Sequence, residues 1–352
     1  MDLTGWPFLV LVVGLSCAVL VGTMVLWNRW PHRAAWPLRF LSLVLVMVCG
    51  AAVMADVVNR DYGFYTSFGD LLGSSPLPHD RPVPAQDRGT VERVRLDGGN
   101  SGIHRDGLVY LPAAYSRPDA ADRHFPVVEL FHGFPGQPDN WTRHLGIAHV
   151  LDLEISSGRM PPVIAVMPTI GDHGRDSECV DAVHGRANET YLAVDVPTAV
   201  AARFRVADGP RDWATMGYST GGFCAVDLAL HHPDRYAAAV SLDGYFTPQV
   251  DSNTGDLYRG RQDIRDNNSP QWLLAHGAPR VPLYLMASRG DPEGLRAIGH
   301  LRRAAPPDYP FTLRTDLNGG HNFNPWHRAG PAALDWIGSH LGTAPPTPRP
   351  TG

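Results

Sequence analysis

The run Gly217-Tyr-Ser219-Thr-Gly221 sets a serine between two glycines, directly after a short apolar stretch (Trp213 to Gly217) and directly before a helix-compatible segment ending near His231-His232-Pro233. A serine on a tight strand-to-helix turn is thrust out of the sheet. The flanking glycines let neighbouring chain pass close to it, and the helix N-terminus favours negative charge developing nearby. This is a layout for nucleophilic attack by Ser219. Glycine and serine clusters also make ordinary turns, and the strand and helix on either side set this one apart from them.

A serine hydroxyl at its free pKa is a poor nucleophile, so it needs a base, and the base needs an orienting acid. Downstream, the apolar run Val281 to Ala287 leads into Ser288-Arg-Gly-Asp291-Pro-Glu293, and Leu317-Asn-Gly-Gly-His321-Asn-Phe-Asn-Pro-Trp326 carries a glycine-flanked histidine. Asp291 is the expected acid and His321 the expected base. Glu293 and Asp243, in Ser241-Leu-Asp-Gly244, are rival acids, and Asp291 equally suits a helix N-cap. The pair His231-His232 reads as a helix C-terminus, where imidazolium is favourable. A tetrahedral oxyanion needs donors: the Thr220 N–H, next to the serine, and the Phe134 N–H, in the loop His132-Gly-Phe-Pro-Gly136 after the apolar run Val127 to Phe131. His132, Tyr218 and Trp326 are candidate substrate contacts.

Elements to position these groups are legible from Thr90 onward. Strands are expected around Thr90–Leu96, Gly107–Leu111, Pro126–Phe131, Pro162–Met167, Trp213–Gly217, Ala237–Leu242, Pro282–Ala287 and Phe311–Thr315. Helices are expected near Val196–Phe204, Gly222–His231, Leu295–Ala304 and Ala332–Leu341. Nearly wholly apolar strands alternating with helices indicate an α/β fold with a mostly parallel sheet covered on both faces. The polar loop Gly171 to Asp181 follows a strand end and is expected to rim the site. Its carboxylates do not follow a calcium-loop pattern, and no metal is expected there. Cys179 in that loop and Cys224 in the helix after Ser219 form a disulfide if the loop packs over the elbow, and remain two thiols otherwise.

The N-terminal part is of another kind. Trp6 to Trp27 is apolar and without charge, long enough to cross a bilayer, which needs about 20 residues. A second run, Phe40 to Ala55, is bounded by Arg39 and Asp56, and the segment between the runs carries three arginines. The positive-inside rule puts that segment in the cytoplasm and both ends outside. The second run also resembles a signal-peptide core with its cleavage site at Val53-Met-Ala55, but the upstream apolar run favours two retained helices; a buried hairpin is disfavoured because neither run alternates with polar residues. The expected division is a two-helix membrane anchor over residues 1–58 (helices about 6–27 and 40–58), an aromatic and proline-rich linker over 59–89, a catalytic domain over 90–342 and a disordered tail over 343–352.

Composition excludes little else. The net charge is −5 and all 30 basic residues are arginine, scattered without a basic stripe, so nucleic-acid binding is not expected. No C-x-x-C spacing and no G-x-G-x-x-G fingerprint occurs.

The set His132-Gly-Phe-Pro-Gly, Asn188-Glu-Thr-Tyr-Leu192, Gly217-Tyr-Ser-Thr-Gly-Gly222, Ala238-Ala-Val-Ser-Leu242 and Gly320-His-Asn-Phe-Asn-Pro-Trp326 resembles the esterase D group of α/β-hydrolases, which includes S-formylglutathione hydrolases and secreted mycolyltransferases. The resemblance covers roughly residues 90 to 342 and implies an α/β-hydrolase fold and serine acyl-ester chemistry. Those mycolyltransferases carry a sugar-binding aspartate at the position of His132 and an arginine at that of Pro135, so the resemblance does not extend to trehalose as acceptor. The resulting expectation is a multi-pass, extracytoplasmic serine esterase acting on a small-molecule or lipid ester through Ser219, His321 and Asp291, without cofactor. Its alternatives are an acyltransferase to envelope sugars or lipids, and an inactive membrane-tethered binding module.

Overall fold

The computed structural model describes residues 3–30, 35–72 and 82–342. The expected tail at 343–352 and most of the proline-rich stretch lie outside them. The chain divides into two units: Met1–Pro76 together with Asn318–Asn324, and Leu77–Leu317 together with Pro325–Gly352.

The first unit is built on helices α1 (Trp6–Leu26) and α2 (Ala35–Tyr62). Both are long and apolar enough to cross a membrane. Helix α1 starts with a proline in its first turn, where the missing N–H costs nothing. Its apolar side chains point outward in all directions, with Val10, Leu15 and Met24 each at least 60 % exposed, an arrangement that suits a nonaqueous surrounding. The two helices close on each other at both ends. The Arg39 guanidinium donates to the Trp27 carbonyl at 3.0 and 3.1 Å and lies over the Trp27 ring, and Arg60 sits 4.1 Å above the Trp6 ring. Midway, Ser16 Oγ donates to the Cys49 carbonyl at 3.3 Å. The boundary expected at residue 58 falls inside α2. That helix ends only at Tyr62, where Gly63 takes the left-handed conformation (φ 63°) and donates to the Asn59 carbonyl. A one-turn helix, α3 (Phe68–Leu71), follows.

The second unit is an eight-stranded sheet in the order β1-β2-β4-β3-β5-β6-β7-β8. The strands are β1 (Thr90–Asp97), β2 (His104–Leu111), β3 (Val127–Phe131), β4 (Ile164–Pro168), β5 (Trp213–Tyr218), β6 (Tyr236–Leu242), β7 (Leu283–Met286) and β8 (Phe311–Arg314). From β4 to β8 all pairings are parallel; β1 and β2 are antiparallel additions at one edge. Every residue of β3, β4 and β5 is buried, as expected of central strands covered on both faces. The short apolar runs read as strands therefore become one sheet, and the architecture is an α/β-hydrolase fold. The helix Ile147–Ser156, absent from the expectation, starts at a left-handed Gly146 without a side-chain cap, so the usual start signal is missing. The last helix begins at Phe323, nine residues before the expected Ala332: Pro325 falls in its first turn, where proline is tolerated, and the helix continues through Pro331, a residue that ordinarily breaks one.

Candidate active site

Strand β5 delivers Ser219. Its backbone has φ 55° and ψ −126°, a region non-glycine residues rarely occupy, and the helix Thr220–His231 begins at the next residue. The turn is held from both sides: Ser219 N donates to Leu242 O at 2.9 Å, and Ser219 O accepts from Gly222 N at 2.8 Å. The two glycines of the motif have steric reasons. A methyl group on Gly217 would run into the Gly221 carbonyl, and one on Gly221 into the carbonyls of Phe131 and His132.

The loop after β3 lies against this turn. A methyl group on Gly133 would stand 3.0 Å from the Ser219 Cβ, so the loop backbone passes directly beside the serine. The sequence suggests His132 as a substrate contact, and the geometry assigns it elsewhere. The ring is fully buried; Nε2 accepts from Ile170 N at 3.2 Å, which leaves Nδ1–H to donate to Gly133 O at 2.8 Å. Burial lowers its pKa to about 4, so the imidazole is neutral and fixed in one tautomer. It props the loop of residues 132–136 from behind. Phe134, the expected donor, is half-buried and precedes Pro135 across a cis peptide bond. Thr220 opens the helix, where the first N–H groups have no intrahelical acceptor. Its hydroxyl donates to Asp176 Oδ2 at 2.7 Å.

Tyr218 and Trp326, the other expected substrate contacts, are also buried. Their rings stack at 4.7 Å, and Trp141 meets Tyr218 edge-on at 5.1 Å, so these aromatics form packing around the serine turn. Trp326 Nε1 donates to Asp243 Oδ2 at 2.6 Å.

Both leading acid candidates sit at carboxyl ends of neighbouring strands. Asp291 follows β7, is 5 % exposed, and its Oδ1 accepts from Glu293 N and Gly294 N at 3.1 and 2.9 Å, the N-cap geometry of the helix Pro292–Ala304. Asp243 follows β6, is 2 % exposed and has φ 48°; its Oδ1 accepts from Ser288 N at 2.7 Å. The two carboxylates converge on Gly294, where a methyl group would lie 2.8 Å from Asp291 Oδ2 and 3.3 Å from Asp243 Oδ1. Glu293 faces solvent with its side chain 82 % exposed, which removes it from the choice. His321 lies in the segment Asn318–Asn324, which belongs to the first unit; its N–H donates to Gly63 O at 2.8 Å.

The polar loop after β4 is tied to the serine helix. Cys179 and Cys224 are bonded, and Asp176 holds Thr220. The loop's acids have protein partners: Asp172 pairs with Arg105 and Arg186, and Asp181 with Thr190. Glu178 accepts from Tyr245 Oη and Gln249 N, and burial pushes its pKa up to about 8. Asp176 and its tie to Thr220 escape sequence reasoning, since an acid in a polar loop carries no mark of its partner.

The family model described as a putative esterase matches residues 102–333. An uncharacterized protein of Corynebacterium glutamicum is 25 % identical over 325 residues, covering 86 % of this chain and 76 % of that protein. A Mycobacterium tuberculosis esterase is 32 % identical over 148 residues, 42 % of this chain and 30 % of the esterase. Among solved structures, a ferulic acid esterase superposes with a TM-score of 0.62 at 20 % identity, over 73 % of this chain and 100 % of that one.

Proposed function

Because the chain belongs to the putative esterase family, we propose that it is a membrane-anchored, extracytoplasmic serine esterase whose nucleophile is Ser219, with His321 as general base and Asp291 as the acid orienting it. The observation that carries this reading is the strained turn at Ser219, with the Gly133 backbone laid against it and a helix starting at Thr220.

In the proposed reaction Ser219 Oγ attacks the acyl carbon while His321 takes its proton. The carbonyl oxygen becomes an oxyanion facing the N–H groups of Thr220 and Phe134. Collapse of this intermediate breaks the ester bond, and the alcohol leaves with the proton held by His321. Water then attacks the acyl-serine with His321 again as base, freeing the acid and restoring Ser219. The Asp291 carboxylate, with Oδ1 fixed by two helix amides, is assigned the imidazole N–H through Oδ2. Asp243 is assigned to holding Trp326 and the Ser288 backbone.

Anchoring rests on two helices with the length and composition of membrane spans, and on the arginine-rich segment between them, which the positive-inside rule keeps in the cytoplasm. A fluorophosphonate probe tests the nucleophile: the wild type becomes labelled and Ser219→Ala does not. Undiminished labelling of Ser219→Ala overturns the assignment.

A further inference from the structure

The segment bearing His321 is built onto the chain that follows helix α2, and a buried carboxylate stands at the centre of the attachment. Asp70 is 8 % exposed. Its Oδ2 accepts from Gly320 N at 3.2 Å, from Asn322 Nδ2 at 3.1 Å and from Thr66 N at 3.1 Å; its Oδ1 accepts from Asn324 Nδ2 at 3.2 Å. Around it, His321 N donates to Gly63 O at 2.8 Å and Asn322 Nδ2 donates to Phe64 O. Gly320 is packed so closely that a methyl group there would strike the Gly63 and Phe64 carbonyls.

The acceptor side is itself braced. Asn59, in the last turn of α2, donates to Tyr65 O and accepts from Tyr65 N at 2.9 and 2.7 Å. Ser67 caps α3 by accepting from Asp70 N at 3.1 Å, which fixes the carboxylate one helical turn later. Leu3 N donates to Thr66 O at 3.0 Å.

We infer that Asp70 is a positioning residue for the catalytic base, and that residues 63–70 are a working part of the esterase and not a linker. This rests on the reading of His321 as the base. A carboxylate accepting from residues on both sides of His321, together with a bond from the His321 amide itself, fixes the backbone from which the imidazole projects. Misplacement of a catalytic group by about 1 Å costs on the order of 100-fold in rate.

The test uses the full chain in detergent micelles with a short p-nitrophenyl ester. Asp70→Asn turns an acceptor into an amide and sets an NH2 against the Asn324 NH2. We expect kcat to fall at least about 30-fold, with KM within about threefold of wild type and a cooperative melting transition retained. Asn322→Ala provides an independent disruption, removing the donor to Asp70 Oδ2 and to Phe64 O without adding an atom. It should lower kcat alike with KM again near wild type, a split that a general loss of folding would not show, and it carries the test if Asp70→Asn fails to fold. A wild-type kcat in Asp70→Asn or in Asn322→Ala overturns the inference, as does a fall in kcat matched by an equal rise in KM. Ser219→Ala separates the two claims. If that variant still turns over, the site reading itself fails; if it is inactive while Asp70→Asn keeps full kcat, only the role of Asp70 falls.

Discussion

Ser219 occupies a backbone conformation that costs about 1–3 kcal/mol for a non-glycine residue, and the fold maintains it through bonds to β6 and to its own helix. The choice between two buried acids belongs to the same scale. Asp291→Asn should lower kcat by about 10³- to 10⁴-fold by removing the tautomer control of the base. Asp243→Asn should lower it by about tenfold or less, because its partners are the Trp326 indole and a backbone amide. Steady-state kinetics of the two variants decides, and the reverse order would transfer the acid role to Asp243. A third carboxyl group makes a pH prediction. Glu129, in the middle of β3, is completely buried, accepts from Tyr236 Oη at 3.0 Å, and burial pushes its pKa from 4.5 up to about 8. Its folded value lies above its unfolded one. Its contribution to stability is therefore full below about pH 4.5 and is lost as pH rises through about 8. Replacement by the neutral isostere should flatten this dependence: urea denaturation should find Glu129→Gln gaining on wild type between pH 5 and 9, by on the order of a few kcal/mol. An equal fall in both proteins would show that Glu129 is not the source.

At the scale of elements, the serine turn depends on how closely β3, β5 and the following helix approach one another. Gly221→Ala places a methyl group on the Phe131 and His132 carbonyls, and no flexible side chain can yield there. It should cost more than about 4 kcal/mol, read as loss of detergent-extractable, cooperatively melting protein. The polar loop is fastened to the same helix by the Cys179–Cys224 bond across 45 residues; Cys224→Ser should cost about 3–4 kcal/mol of stability by the chain-entropy argument, measured by chemical denaturation. These elements are largely legible in the sequence. The central parallel strands stand out because apolar runs bounded by turn residues are the form they take; β1, at the antiparallel edge, instead alternates apolar with charged residues. Ser219 stands out because its glycines are sterically obligatory. The partners of individual side chains are not legible. Nothing in the order of residues shows that His132 turns inward to two backbone groups, or that Tyr218 and Trp326 pack against each other under the turn. Asp70 leaves one faint signal, the Ser67-x-x-Asp70 spacing of a helix cap. Its role toward residues 318–324 depends on contacts across some 250 positions, beyond the reach of local pattern.

At the scale of the molecule, an ordinary α/β-hydrolase sheet is joined in one chain to a unit of two apolar helices. If α1 and α2 span a bilayer, the protein should remain in the membrane pellet after alkaline carbonate washing, and protease added to intact cells from outside should cleave within residues 90–342. Release by carbonate, or complete protection from external protease, would contradict the proposed topology. The proposed reaction requires that an acyl group pass through Ser219. The most direct measurement is rapid quenching of the full-length protein during turnover of a p-nitrophenyl ester, followed by peptide mass mapping. The acyl mass should appear on the peptide containing Ser219 in the wild type, and not in Ser219→Ala. An acyl adduct on another residue, or turnover by Ser219→Ala at the wild-type rate, would contradict the proposed reaction.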